Sequence, residues 1–198
     1  MKKLIRKGLA SACFVALGAV AYSFSKDKDF AFLILLGLIF GFVGDIVIDV
    51  HYIIPSLKKY RLVMGSGAFL AGHGLYLAAI ITRSQSIWLA ALIGAAVMGI
   101  VCFFLQRLLI EDIPFFAVGI IYLLVVGVLA ALGVNYMFES SMSTGSRMLS
   151  IGLLLFAASD VFLIYRNFGR RHFKGMRAFC LTLYYAGQLL IAASLFGG

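Results

Sequence analysis

The sequence predicts an all-α membrane protein: a polytopic bundle of seven membrane-spanning helices, in one domain covering residues 1–198. Three observations lead there. The 198-residue chain is 63% hydrophobic with a mean hydropathy of +1.06, whereas a soluble domain is nearer half apolar. Its apolar runs are close to the roughly 20 residues a bilayer requires, and they do not alternate as membrane-barrel strands do. Its basic residues sort to one side once the runs are counted as spans. With two prolines and no low-complexity stretch, the chain has room for one compact bundle and no separate soluble domain.

The first span is Leu4–Phe24. Its basic start, apolar core and Ala19-Val20-Ala21 resemble a signal peptide with a small-residue cleavage site. We read it as a helix that stays with the chain; cleavage would leave the remaining topology unchanged. The second span, Phe30–Ile54, carries Gly37, Gly41 and Gly44 on one stripe, a spacing that lets helix backbones approach closely in lipid. It also carries Asp45 and Asp49, at i and i+4 on one face. The third, Leu62–Ile81, holds Gly65, Gly67, Gly72 and Gly74, which predict a buried helix, together with His73 and Tyr76. The fourth, Ile87–Leu105, is apolar throughout. The fifth, Pro114–Gly133, follows Glu111 and Asp112, loop-end acids expected to pair with Arg107 and to do nothing chemical. The sixth, Met148–Tyr165, contains Asp160, and the seventh, Ala178–Phe196, contains Tyr184, Tyr185 and Gln188.

Tyr60, Trp88, Tyr136 and Tyr165 fall near the predicted interfaces, as aromatic belts do. Cys13, Cys102 and Cys180 show no CxxC spacing and read as small packing residues. No internal repeat stands out, nor the paired broken segments of transporters built from inverted repeats.

The net charge of +9 invites a nucleic-acid reading, which the placement of the charges removes. With seven spans, the N-terminus and the second, fourth and sixth loops share a side. That side holds Lys2, Lys3, Arg6, Lys7, Lys58, Lys59, Arg61, Arg107, Arg166, Arg170, Arg171, Lys174 and Arg177, which is 13 of the 17 basic residues. The positive-inside rule then predicts a cytoplasmic N-terminus and an outside C-terminus. The expected setting is an integral protein of a bacterial plasma (inner) membrane, its basic side against anionic lipid headgroups. No nucleic-acid partner is expected, and the oligomeric state is open.

A carboxylate in hydrocarbon costs a few kcal/mol or more, so intramembrane acids mark function by default. In this topology Asp45, Asp49 and Asp160 lie in the cytoplasmic half. His73 falls near the midplane with Tyr76 one turn beyond, and Tyr184, Tyr185 and Gln188 lie two to three turns deep. These residues come from four predicted helices, and their depths suggest one polar cavity opening toward the cytoplasm or the inner leaflet.

At these residues the chain resembles the YhhN family of lysoplasmalogenase-type membrane proteins. The likeness rests on Gly37-Leu38-Ile39-Phe40-Gly41-Phe42-Val43-Gly44-Asp45, Gly67-Ala68-Phe69-Leu70-Ala71-Gly72-His73-Gly74-Leu75-Tyr76 and Leu154-Leu155-Phe156-Ala157-Ala158-Ser159-Asp160. Tyr184-Tyr185-Ala186-Gly187-Gln188-Leu189-Leu190-Ile191 is similar to the family's last helix. The blocks keep the family's order and the likeness runs the length of the chain. Members typically have eight spans, and the basic segment before the first span here resembles the stretch before their second, so their first helix is expected to be missing. The resemblance implies hydrolysis of the vinyl ether bond of lysoplasmalogens to a fatty aldehyde and glycerophospho-ethanolamine or -choline, with a lysophospholipid substrate and no cofactor or metal.

The residues present suit that chemistry. Vinyl ether hydrolysis needs a proton on the alkene carbon, an anion near the resulting oxocarbenium ion, and a held water. Glycosidases meet a similar need with two carboxyls in unequal environments. Asp45 and Asp160 are the expected catalytic pair, the acid of the two left open. His73 would orient water or shuttle a proton. Asp49 would assist or bind an ethanolamine amine. Tyr76, Tyr184, Tyr185 and Gln188 are candidate substrate contacts, the last three equally suited to interhelical hydrogen bonding. Arg61, Arg170, Arg171 and Lys174 lie where a phosphate would sit, although topology alone accounts for them.

Other classes fit the residues less well. Buried Asp and His also serve proton- or cation-coupled transporters and channels, but the outer half lacks a matching polar path. A non-catalytic lipid-binding protein would keep the same cavity. A retinal protein needs a Schiff-base lysine, and the seventh span has none. A metallohydrolase built on His73, Asp45, Asp49 and Asp160 lacks HExxH or paired-His spacing.

Overall fold

The computed structural model describes residues 2–107, 116–169 and 174–197. Seven helices there are long and apolar enough to cross a membrane: α1 (Lys2–Phe24), α2 (Lys28–Asp49), α3 (Arg61–Ile81), α4 (Ile87–Gln106), α5 (Phe116–Glu139), α6 (Thr144–Phe168) and α7 (Met176–Ala193). Short 3-10 turns follow α2 and α7, and no β-strand occurs among the described residues.

Helices adjacent in sequence pack as hairpins: α2 on α3, α4 on α5, α6 on α7 and α1 on α2. The bundle closes through α1 against α7 and α3 against α5. Glycine sets the closest approaches. A methyl built on Gly72 would lie 3.0 Å from the Gly37 carbonyl, and one on Gly152 would lie 2.8 Å from the Gly187 carbonyl. Gly67 and Gly74, expected to be buried, instead face open space. They lie seven residues apart on a face of α3 turned away from α2, while Gly65 and Gly72, also seven apart, face it.

Three boundaries differ most from the sequence expectation. The second span was read to Ile54, but α2 stops at Asp49 and gives way to two 3-10 turns, Val50–Tyr52 and Pro55–Lys59. Pro55 pushes its predecessor out of helical geometry, and Ile54 sits at φ −116°, ψ 89°. The fifth helix runs beyond Gly133 to Glu139. Its carboxylate accepts from the Gln85 and Ser86 amides at 3.1 and 2.9 Å, so the polar end of α5 caps the start of α4. The sixth helix begins at Thr144, before Met148, because the Ser143 side chain accepts from the Ser146 amide and caps it. Pro114, Glu111, Asp112, Arg170 and Arg171 lie outside the described residues.

At the same end as the Glu139 cap, Asp27 accepts from the Phe30 amide as the N-cap of α2. It also takes both arms of the Arg83 guanidinium, at 2.6 and 2.8 Å. This bidentate pair ties the start of α2 to the end of α3. The Arg83 guanidinium holds the Asp27 carboxyl below its ordinary value.

Candidate functional site

The three intramembrane acids are buried: Asp45, Asp49 and Asp160 are 2%, 5% and 3% exposed. His73, Tyr76, Tyr184 and Gln188 are buried as well, and Tyr185 is half-buried. The structure gathers them into two clusters joined by aromatic rings.

The first cluster is built on Asp45. Lys7, one and a half turns into α1, sends its ammonium to Asp45 Oδ1 at 2.9 Å and lies 3.9 Å from Asp49 Oδ2. Ser11, one turn further along α1, donates to Asp45 Oδ2 at 2.6 Å. Tyr184 of α7 donates to the same oxygen at 2.7 Å. An ammonium and two hydroxyl donors therefore converge on this carboxyl. The Tyr185 hydroxyl stands 3.5 Å from Ser11 Oγ. Gly41 makes room for Gln188 and the Tyr184 hydroxyl, for a methyl there would lie 2.8 Å from Gln188 Nε2. Gln188 Oε1 in turn accepts from the Tyr76 hydroxyl at 2.9 Å.

The second cluster is built on Asp160 of α6. Tyr122 of α5 donates to Asp160 Oδ2 at 2.8 Å, and His73 Nε2 of α3 stands 3.6 Å from the same oxygen. The imidazole is held edge-on to the Tyr122 ring, with centroids 5.5 Å apart, and against Phe156 at 4.7 Å. No Lys or Arg among the described residues forms an ion pair with Asp160, so its setting is unlike that of Asp45. The two carboxylates share no hydrogen bond. They are linked through Tyr184, the Phe156 ring 5.4 Å from it, and His73.

Four polar atoms of these clusters are buried without a well-formed hydrogen bond, Asp49 Oδ2, Gln188 Nε2 and both ring nitrogens of His73, although the Phe69 backbone approaches the His73 ring and the Gln188 side chain approaches the Tyr184 hydroxyl. Leaving one such group unsatisfied costs about 1–3 kcal/mol, so their concentration here marks where a ligand or water would be bound. Among the described residues no three His, Cys, Asp or Glu side chains converge as a metal-ligand set.

Beside Lys7 a cleft of about 260 Å³ opens between α1 and α7, lined by Arg6, Lys7, Ala10, Arg177, Leu181 and Tyr185. Arg61 and Lys174, expected near a phosphate, do not line it. Sequence reasoning missed three of the groups that complete the clusters. Lys7 is counted there among topology-setting charges, and Ser11 and Tyr122 are not singled out. The available signal was a hydroxyl or ammonium placed inside an otherwise apolar span.

A family model, the YhhN family, matches residues 4–195, nearly the whole chain. No curated protein and no solved structure matches. The chain belongs to the YhhN family.

Proposed function

From membership of the YhhN family and the unequal settings of Asp45 and Asp160, we propose that this chain is a lysoplasmalogenase-like hydrolase. It would act on a single-chain vinyl ether phospholipid in a bacterial plasma membrane, with its N-terminus cytoplasmic. The observation that carries the site assignment is the set of orphaned polar atoms on His73, Asp49 and Gln188, all within the two aspartate clusters. The reaction itself comes from the family resemblance.

In this reading Asp160 is the general acid. It has one hydroxyl donor and, among the described residues, no ammonium or guanidinium paired with it to balance a lasting charge, so its neutral form suits the site. Its proton goes to the alkene carbon beyond the ether-bearing one, and the carbon attached to oxygen becomes an oxocarbenium ion facing the new carboxylate. Water adds to that carbon and passes a proton through His73 back to Asp160. The hemiacetal hydroxyl proton then moves to the departing glycerol oxygen. The products are a fatty aldehyde and glycerophospho-ethanolamine or -choline. Asp45, paired with Lys7, keeps the Tyr184 hydroxyl in place. Tyr76, Tyr185 and Gln188 contact the glycerol and ether oxygens, and Asp49 meets the headgroup amine.

The test is aldehyde release from lysoplasmenyl-ethanolamine by the purified protein in detergent, wild type beside Asp160→Asn. Loss of a general acid should lower kcat by about 10²–10⁴ with folding intact. No release from folded wild type would sink the hydrolase reading and favour a transporter or a non-catalytic lipid-binding protein.

A further inference from the structure

We propose that the cleft between α1 and α7 is a binding subsite for the phosphodiester of a lysophospholipid headgroup. The inference rests on the lysophospholipid reading above and adds where the headgroup is held. Arg6 and Lys7 from α1 and Arg177 from the first turn of α7 line one cleft with the half-buried Tyr185. Two guanidinium groups, an ammonium shared with Asp45 and a phenol hydroxyl around about 260 Å³ suit the charge and acceptor oxygens of a phosphodiester.

Topology accounts for basic residues at a bundle end. It does not account for their convergence on a recess whose inner wall belongs to the buried site. Lys7 lines the cleft and also pairs with Asp45 at 2.9 Å. Tyr185 lines it and stands 3.5 Å from Ser11 Oγ, which donates to Asp45. A phosphate seated against Arg6 and Arg177 is therefore one side chain away from Asp45, with the glycerol and ether carbons directed inward. Ala10 and Leu181 supply apolar wall for the first methylenes.

The experiment measures binding alone, with ligands that cannot be hydrolysed. Wild-type protein in detergent is titrated with 1-O-alkyl-glycerophosphoethanolamine, with 1-O-alkylglycerol of the same chain, and with chainless glycerophosphoethanolamine. The phospholipid analogue should bind about tenfold more tightly than the alkylglycerol, as expected of a few charge-assisted contacts in a partly open site. In Arg6→Gln/Arg177→Gln that advantage should disappear while alkylglycerol affinity is unchanged. Arg107→Gln removes a charge from the same end of the bundle, outside the cleft, and should leave the advantage intact.

Equal affinity for the two alkyl ligands in wild type, or an advantage that survives the double substitution, overturns the proposal. Chainless ester binding as tightly as the lipid overturns the lipid assignment in favour of a soluble phosphate ester. Because no ligand turns over, failure of the hydrolase reading shows in the aldehyde assay and failure of the subsite shows here.

Discussion

Lys7→Met tests the electrostatics of the site directly. The substitution keeps side-chain length and removes the cation that lies 2.9 Å from Asp45 and 3.9 Å from Asp49. Each attraction is worth about 4 kcal/mol at a separation of about 4 Å and an effective dielectric of about 20. Desolvation of all three groups offsets much of this, and the Lys7 side chain is 15% exposed. Breaking a buried pair from one side typically costs about 3–5 kcal/mol, so the lower end applies here, about 3 kcal/mol. Asp45→Asn should cost less, about 1–2 kcal/mol, because Lys7 keeps Asp49 as a counter-ion and Asn still accepts from Ser11 or Tyr184. The double variant should lose less than the sum of the singles, by about 2 kcal/mol, as partners in one network do. Chemical unfolding in detergent, followed by circular dichroism for the four proteins of the cycle, measures that coupling. Additivity within about 0.5 kcal/mol would refute the idea that Lys7 is the working counter-ion of Asp45.

Two further outcomes follow from the helix contacts. Gly152→Ala should destabilise the fold by about 1–3 kcal/mol, because the new methyl meets the Gly187 carbonyl at 2.8 Å and the Ile191 amide at 3.0 Å, backbone that cannot move aside. Gly67→Ala, with nothing within 4 Å, should instead stabilise by up to about 1 kcal/mol through helix propensity; paired thermal melts compare them. Arg83 lowers the Asp27 pKa in the folded state, so their pair contributes stability above the ordinary aspartate range and loses it as pH falls through the lower folded value. With both side chains over a third exposed, the contribution is at most about 1 kcal/mol. Melts of wild type and Asp27→Asn should therefore differ slightly at neutral pH and converge as pH falls below the ordinary aspartate range.

The spans and the buried acids were legible because both follow from one strong constraint, the absence of water in the bilayer core. Apolar run length fixed the helices, and the high cost of an intramembrane carboxylate singled out Asp45, Asp49 and Asp160. Helical phase was harder to read. Gly65 and Gly67 look equivalent in a list of small residues, yet they point to opposite sides of α3. The end of the second helix was overrun because its apolar character continues through Ile53 and Ile54, while Pro55 decides the backbone. Lys7 was hidden by ambiguity of role. A lysine near a helix end serves topology in most membrane proteins, and only the three-dimensional arrangement shows its ammonium turned inward. Tyr122 was hidden for another reason, since a single tyrosine in an apolar span reads as bulk until its hydroxyl is seen on Asp160.

The division of one ion pair between α1 and α2 bears on how the chain enters a bilayer. A lysine near the start of α1 can reach toward the interface along its own methylenes. Asp45 and Asp49, on short side chains, have no such reach, and α2 inserted alone would carry two uncompensated acids. An α1–α2 hairpin supplies the missing cation within the same insertion event. Pairing of the second helix with the first thus covers its acids as the hairpin enters the bilayer, and Lys7→Met should lower the yield of inserted chain while leaving enough folded protein to assay.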